Sequence, residues 1–295
     1  MILSSSGLLA RTVTATPLDL GKKRVNHDAI RSVVKTSARA EVGLVTSAGR
    51  VLRLGVIGLP ALPENANLTA SGGAAIKEFI TLPKDEKPLG LMNLTSEKAT
   101  LVIFTASGQV KRVNHDVPNS AKDWNIVKLD KNDYLVGAVQ TADDSGNIIL
   151  ITDDAQLLHF PANTVRATGR QAGCVAGIKL AKGAKVIYGN VIDPVAQTLV
   201  ATVAGKDAAT ANSLKVSSLS EFPAKGRATG GIRCHKFLSG EKYLVTAGAG
   251  NAPIHAATST GGFVEVKDKL AKRDATGTVL SKSVAALCAL PKFNK

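Results

Sequence analysis

Short runs of apolar and β-branched residues recur along the chain. The clearest are Val42-Gly43-Leu44-Val45-Thr46, Leu101-Val102-Ile103-Phe104-Thr105, Ile148-Ile149-Leu150-Ile151-Thr152 and Leu199-Val200-Ala201-Thr202-Val203. Each is too short for a helix and rich in strand formers, so each is read as a strand. A break follows each run: Ser6-Gly7, Ala48-Gly49, Ser107-Gly108, Asp153-Asp154, Ala204-Gly205 and Gly261-Gly262. Gly or Asp there supplies the positive φ that two-residue hairpin turns require. Alternating stretches such as Arg50-Val51-Leu52-Arg53-Leu54 then return as the second strand. A second hairpin is expected within the units, from Val127-Lys128-Leu129 to Tyr134-Leu135-Val136 and from Ile178-Lys179-Leu180 to Val186-Ile187-Tyr188. Long 3.6-residue periodicity is absent, so no helical layer is expected.

The breaks lie 42, 59, 46, 51 and 57 residues apart. Six units of about 49 residues fill the chain, a spacing typical of propeller blades. The reading is an all-β, propeller-like closed ring of four-stranded blades, one domain over 1–295, with repeats starting near 1, 41, 99, 146, 196 and 252. Closure removes the exposed sheet edges that so much strand would otherwise present. Two β-sandwiches fit less well, because the unit length repeats across the midpoint. Segment 61–75, rich in Pro, Asn, Gly and Ser, reads as a surface loop.

Composition narrows the function. The 295 residues carry a formal net charge of +14. The excess is uneven: +6 over 1–60, −4 over 61–160, +8 over 161–240 and +4 over 241–295. That pattern suggests a polyanion touching part of the surface. Aromatics are only 4%, which argues against stacking platforms for single strands. A peptide-binding propeller would need exposed aromatic anchors, for which Trp124 and Phe237 are the candidates. No apolar run is long enough for a membrane helix, and the start lacks the charged n-region of a signal peptide. Cys174, Cys234 and Cys288 are far apart, with no CxxC, so a reducing cytoplasm is expected and core packing is their simplest use.

Motifs for chemistry are sparse. Lys-Arg-Val-Asn-His-Asp occurs at 23–28 and 111–116. Adjacent residues on a strand face opposite ways, so the His-Asp pairs do not read as an acid–base couple. The five histidines have no metal-ligand spacing, and no GxSxG elbow or GxxxxGK[ST] loop is present. No catalytic residue, metal site or cofactor is expected. Gly169-Arg170-Gln171-Ala172-Gly173 and Lys225-Gly226-Arg227-Ala228-Thr229-Gly230-Gly231 admit two readings. Their glycines could let backbone approach a phosphate, with Arg adding a forked donor, or could only shape a bend.

Segment 154–180, with Leu157-Leu158-His159-Phe160, Val165-Arg166, Gly169-Arg170, Gly173 and Val175-Ala176-Gly177-Ile178-Lys179-Leu180, resembles one blade of a known family. That family is the C-terminal domain of bacterial type IIA topoisomerase A subunits, which includes DNA gyrase and topoisomerase IV. Ala40 to Leu54 looks like its second blade, and the resemblance extends over all six units. It implies a six-bladed β-pinwheel with strands exchanged between neighbours. It implies duplex DNA bound around the outer rim, and a larger enzyme whose cleavage tyrosine and ATPase lie elsewhere. Tyr134, Tyr188 and Tyr243 lie within blades and match no cleavage motif. The expected partners are duplex DNA, the remaining domains of the same polypeptide, and a separate ATPase-bearing polypeptide, near the nucleoid. No membrane and no self-association of the isolated domain are expected.

Gyrase carries a Gln-Arg-Arg-Gly-Gly-Lys-Gly box in its first blade. The corresponding place here, Leu20-Gly21-Lys22-Lys23-Arg24-Val25-Asn26, keeps the cations and lacks the Gly-Gly pair. That favours a topoisomerase IV type over a gyrase type. The expected DNA contacts are Arg11, Lys22, Lys23, Arg24, Arg50, Arg53, Arg166, Arg170, Lys179, Lys215, Lys225, Arg227, Arg233, Lys272 and Arg273. Units four, five, six and one would form a basic arc, with units two and three repelling DNA.

Overall fold

The computed structural model describes residues 1–14, 29–62, 72–195, 197–207, 213–267 and 269–289. Lys22, Lys23 and Arg24, and the first Lys-Arg-Val-Asn-His-Asp copy, lie outside them. Six antiparallel sheets follow one another along the chain. The first strands of the units are Ile2–Ser4, Glu41–Thr46, Thr100–Thr105, Asn147–Thr152, Thr198–Gly205 and Ile254–Ala257. Each pairs with the strand after its turn and, on its other edge, with a later strand of the same unit. Those later strands are Ile30–Val33, Pro88–Asn93, Leu135–Thr141, Val186–Ile192, Tyr243–Asn251 and Ala286–Ala289. They form the inner ring, and Ala286–Ala289 packs beside Ile30–Val33 to close it. The fold is a six-bladed, all-β ring.

The outermost strand of a blade comes from the next unit. Asp123–Asn125 of unit three pairs with Arg50–Gly55 of blade two. Ile232–Arg233 of unit five pairs with Gln156–Pro161 of blade four, and Thr278–Val279 of unit six with Ser213–Ser218 of blade five. Blade three receives both Ala167–Thr168, in parallel, and Val175–Ala176, antiparallel, on Gln109–Val113. Blade one likewise receives Ala61–Leu62 and Ala74–Ala75, inside the segment read as a loop. The sheets of blades one and three therefore have five strands, and that of blade six has three among the described residues.

Alternation along the first strands explains their unbroken apolar runs. Leu101 and Ile103 face blade two, while Val102 and Phe104 face blade four. Both faces of each blade are thus interior, and one apolar cluster fills each gap between neighbours from blade one to blade six. Burying both faces removes every reason for a polar stripe.

The hairpin turns have three residues rather than two. The amides of Gly7, Gly49, Gly108, Ala155 and Gly261 donate to Ser4, Thr46, Thr105, Thr152 and Thr258, three residues back. All five turn residues have positive φ, including Ala155 at 61°, so the turn after Thr152 ends on Ala155 rather than on the Asp153-Asp154 pair. This is a type I turn closed by a left-handed residue. The residue before each turn carries a hydroxyl, and those of Ser4, Thr105, Thr152 and Thr258 accept the amide that opens the second strand. In blade five Ala204 holds that place without a hydroxyl, and Ala204-Gly205 is not a turn: the strand runs on, and Ala204 pairs with Ser213.

Four of the five turns are also held by the next unit. The carbonyls of Gly7, Gly49, Gly108 and Ala155 accept the amides of Ile76, Ile126, Ile178 and Cys234. Val127-Lys128-Leu129 and Ile178-Lys179-Leu180 are therefore coil covering a neighbour's turn, not the second hairpin expected from their alternation.

Candidate nucleic-acid interface

Strand exchange moves the basic segments by one blade. The cation-bearing segments of units four, five and six lie on the rims of blades three, four and five. Of the basic arc expected on units four, five, six and one, the segments of units four to six are thus displaced by one blade, and blade three, expected to repel DNA, carries the first of these loops.

These three outer segments are joined to one another. Lys179 donates its amide to Thr229 O at 3.0 Å, and Ala228 donates to Gly177 O at 2.8 Å. Arg227 Nη1 donates to Ala176 O at 2.6 Å. Farther round, Lys236 donates its amide to Ala275 O at 3.1 Å and bridges Thr276. The result is one rim joining the outer segments 166–180, 225–236 and 272–279, held largely by backbone bonds.

Along it Arg166, Lys179, Lys225, Arg233, Lys272 and Arg273 are exposed, and none forms an ion pair among the described residues. Arg170 and Arg227 are half-buried, and Arg170 Nε meets Asp116 at 2.7 Å. Lys225 Nζ returns to Gly230 O at 2.7 Å. Lys236 is an exposed cation on the same rim that the sequence reading did not name.

The glycines of these loops separate into two kinds. A Cβ on Gly231 would meet Gln156 Cβ at 2.7 Å, and one on Gly277 would meet Ser213 Oγ at 2.7 Å, so both are packing glycines. Around Gly169, Gly173 and Gly230 nothing lies within 4 Å, and none has a positive φ. Nothing inside the protein requires glycine there.

Other expected contacts are committed elsewhere. Lys215 is a correction: it is 3% exposed, and its ammonium donates to Lys272 O at 3.0 Å and to Arg273 O. Burial lowers its pKa to about 8. Arg50 forks onto Glu86 at 2.7 and 2.8 Å and reaches Asp123 at 3.0 Å, and the Glu86 bond raises its pKa. Arg53 binds Glu41 and the carbonyls of Ala121 and Pro118, and lies 5.5 Å over the Trp124 ring. Arg11 Nε donates to Leu59 O. These three arginines lock exchanged segments to blades one and two.

Trp124 is buried in the gap between blades two and three, and Phe237 packs against the core between blades four and five. Neither offers the exposed anchor a peptide-binding propeller needs. The second Lys-Arg-Val-Asn-His-Asp copy is interior only in its first half: Lys111, Arg112 and Val113 are buried on their strand, while Asn114 and Asp116 are exposed. Among the described residues no three His, Cys, Asp or Glu side chains gather as a metal site, and no helix is long and apolar enough to cross a membrane.

The family model described as the DNA gyrase C-terminal domain, beta-propeller, matches residues 99–117, 146–193 and 210–242. The DNA gyrase A protein of Dehalogenimonas lykanthroporepellens is 27% identical over 215 residues, 72% of this chain and 25% of that protein. The chain is similar to that domain family over about a third of its length, and to DNA gyrase A proteins over more of it. The DNA gyrase A protein of Treponema pallidum is 33% identical over 150 residues, half of this chain and 18% of that protein. The chain spans about a quarter or less of the length of these curated relatives. Its fold matches the C-terminal domain of DNA topoisomerase IV with a TM-score of 0.74, at 17% identity over 97% of this chain and 91% of that one. The C-terminal domain of DNA gyrase A gives 0.64, at 18% identity and 97% of both chains.

Proposed function

We propose that the rim formed by blades three, four and five binds the backbone of duplex DNA, without reading sequence, and bends it. One observation carries this: a backbone-stitched band of exposed, unpaired cations, interrupted by glycines that no internal contact requires. Cations on such a band neutralise phosphates and release counterions. The open glycines favour the close-approach reading over the bend reading, because a Cβ at 169, 173 or 230 would meet only solvent or a ligand.

In this reading the domain presents DNA segments for strand passage by a type IIA topoisomerase. The cleavage tyrosine lies in the remaining domains of the same polypeptide, and ATP is used by a separate one. The missing Gly-Gly pair near Leu20 to Asn26 favours decatenation and relaxation over gyrase-type wrapping. The cations free to act here lie on three neighbouring blades. Bending a site by 40–90° costs roughly 1–6 kcal/mol, which several phosphate contacts offset. A partial arc suits a bend better than a full wrap.

The test is fluorescence anisotropy of a duplex of about 40 base pairs at several salt concentrations, with charge-reversed variants. Reversal at Arg166, Lys225 and Arg233 should weaken binding, and reversal at Lys84 and Lys87 should matter much less. Equal losses from both sets would overturn the rim assignment. Absence of binding at low salt would return the basic surface to another polyanion.

A further inference from the structure

Lys111 and Lys215 hold the same place in their blades. Lys111 pairs across the sheet with Ile103, and Lys215 with the matching Thr202. Blades two and four carry Leu52 and Leu158 there. Both ammonium groups are buried, at 2% and 3% residue exposure, and neither meets a carboxylate among the described residues. A buried, unpaired ammonium is costly, and leucine in the sister blades shows that the packing does not need it.

Their partners explain the cost. Lys111 Nζ donates to Ile126 O at 3.1 Å, Arg170 O at 2.9 Å and Ala172 O at 2.6 Å, which uses all three of its donors. Lys215 Nζ donates to Lys272 O and Arg273 O. Four of these carbonyls belong to the outer rim loops. In a planar trans peptide the N–H points opposite to its C=O. Drawing the carbonyls of Arg170 and Ala172 inward therefore turns the amides of Gln171 and Gly173 away from Lys111. The amides of Arg273 and Asp274 turn away from Lys215 in the same manner. None of these four amides has a hydrogen-bond partner among the described residues.

We propose that each buried lysine builds a phosphate seat on the rim: Gln171 and Gly173 amides on blade three, Arg273 and Asp274 amides on blade five. The ammonium orients the donors and places a fixed positive charge beneath them. Amides presented this way bind anionic oxygens without regard to base sequence. Lys111 and Lys215 are thus positioning residues that never touch the ligand. The inference rests on the rim reading for its natural ligand, a DNA phosphate, but the seats are testable without DNA.

The experiment is amide NMR of the wild-type domain titrated with inorganic phosphate and then with the 40-base-pair duplex, repeated on Lys111→Met and Lys215→Met. Shifts should appear at Gln171, Gly173, Arg273 and Asp274. Lys111→Met should silence only the first pair and Lys215→Met only the second. Each variant should make the log–log salt dependence of duplex binding shallower by about 0.9, one phosphate lost. Unshifted amides in the wild type with both probes would overturn the seats even if a variant failed to fold. So would Met variants with unchanged shifts and slope. Phosphate shifts without any duplex binding would uphold the seats and remove the DNA reading instead.

Discussion

Gly137, on the inner strand of blade three, lies so close to Gly189 of blade four that a Cβ on it would stand 2.3 Å from the Gly189 carbonyl oxygen. The relation recurs around the ring. A Cβ on Gly90 would meet Ala138 O at 2.6 Å, and one on Gly248 would meet Leu287 O at 2.8 Å. Glycines on three of the inner strands thus set how near adjacent blades approach. Gly137→Ala forces two backbones apart rather than moving a flexible side chain. It should cost about 1–3 kcal/mol or more, seen as a lower urea midpoint. Gly169→Ala, in open space, should leave that midpoint nearly unchanged.

The hydroxyl before each turn makes a separable contribution. Thr152 is buried, accepts the Gln156 amide at 2.9 Å and donates to Asp154. Thr152→Val keeps the shape and strands a buried donor, which costs about 1–3 kcal/mol. Equilibrium unfolding of T152V should show that loss with an unchanged m-value. A wild-type midpoint would mean that the turn is held by its backbone bonds alone.

Arginines on the two sides of the ring should behave oppositely. Arg166 is exposed and unpaired on the basic rim, while Arg50 is forked onto Glu86. Arg166→Ala should reduce the salt slope of duplex binding by about 0.9 and leave stability within about 0.5 kcal/mol. Arg50→Ala should lower stability, by orphaning the mostly buried Glu86, and leave the slope alone. Salt titrations and urea melts of the two variants check both halves, and a shared response would contradict the division of the arginines.

The ring, its repeat and its first strands were legible because apolar runs and turn residues are local signals. Ala155 was not, since a left-handed alanine is chosen by the closing contacts of its turn, not by its own preference. Strand exchange between blades is a long-range choice that periodicity does not record, so the cations of units four to six were assigned to their own blades rather than to the preceding ones. Lys215 and Arg50 show a second limit. A cation looks the same in sequence whether it faces solvent, a carboxylate or a ring of carbonyls, and only the fold separates them.

His235 and Lys215 should set opposite limbs of the pH–stability curve. His235 is buried against Thr202, whose hydroxyl lies 2.9 Å from Nδ1, and near Ser213 and Glu241. Burial first, and then the Lys215 charge, lower its pKa from 6.5 to about 4. Between those values the unfolded chain holds a proton that the folded chain lacks, so stability falls as pH drops through that window. At 1.36 kcal/mol per unit this amounts to about 3 kcal/mol. Lys215, facing Cys234, His235, Asp274 and Glu221, falls from 10.5 to about 8. Here too the unfolded chain holds the extra proton, so stability rises as pH climbs from about 8 toward 10.5, relieving a penalty present at neutral pH. Urea midpoints measured from pH 4 to pH 10 should show both limbs in the wild type. His235→Gln should flatten the acid limb and Lys215→Met the alkaline one; profiles parallel to the wild type would mean that neither group titrates in its buried place.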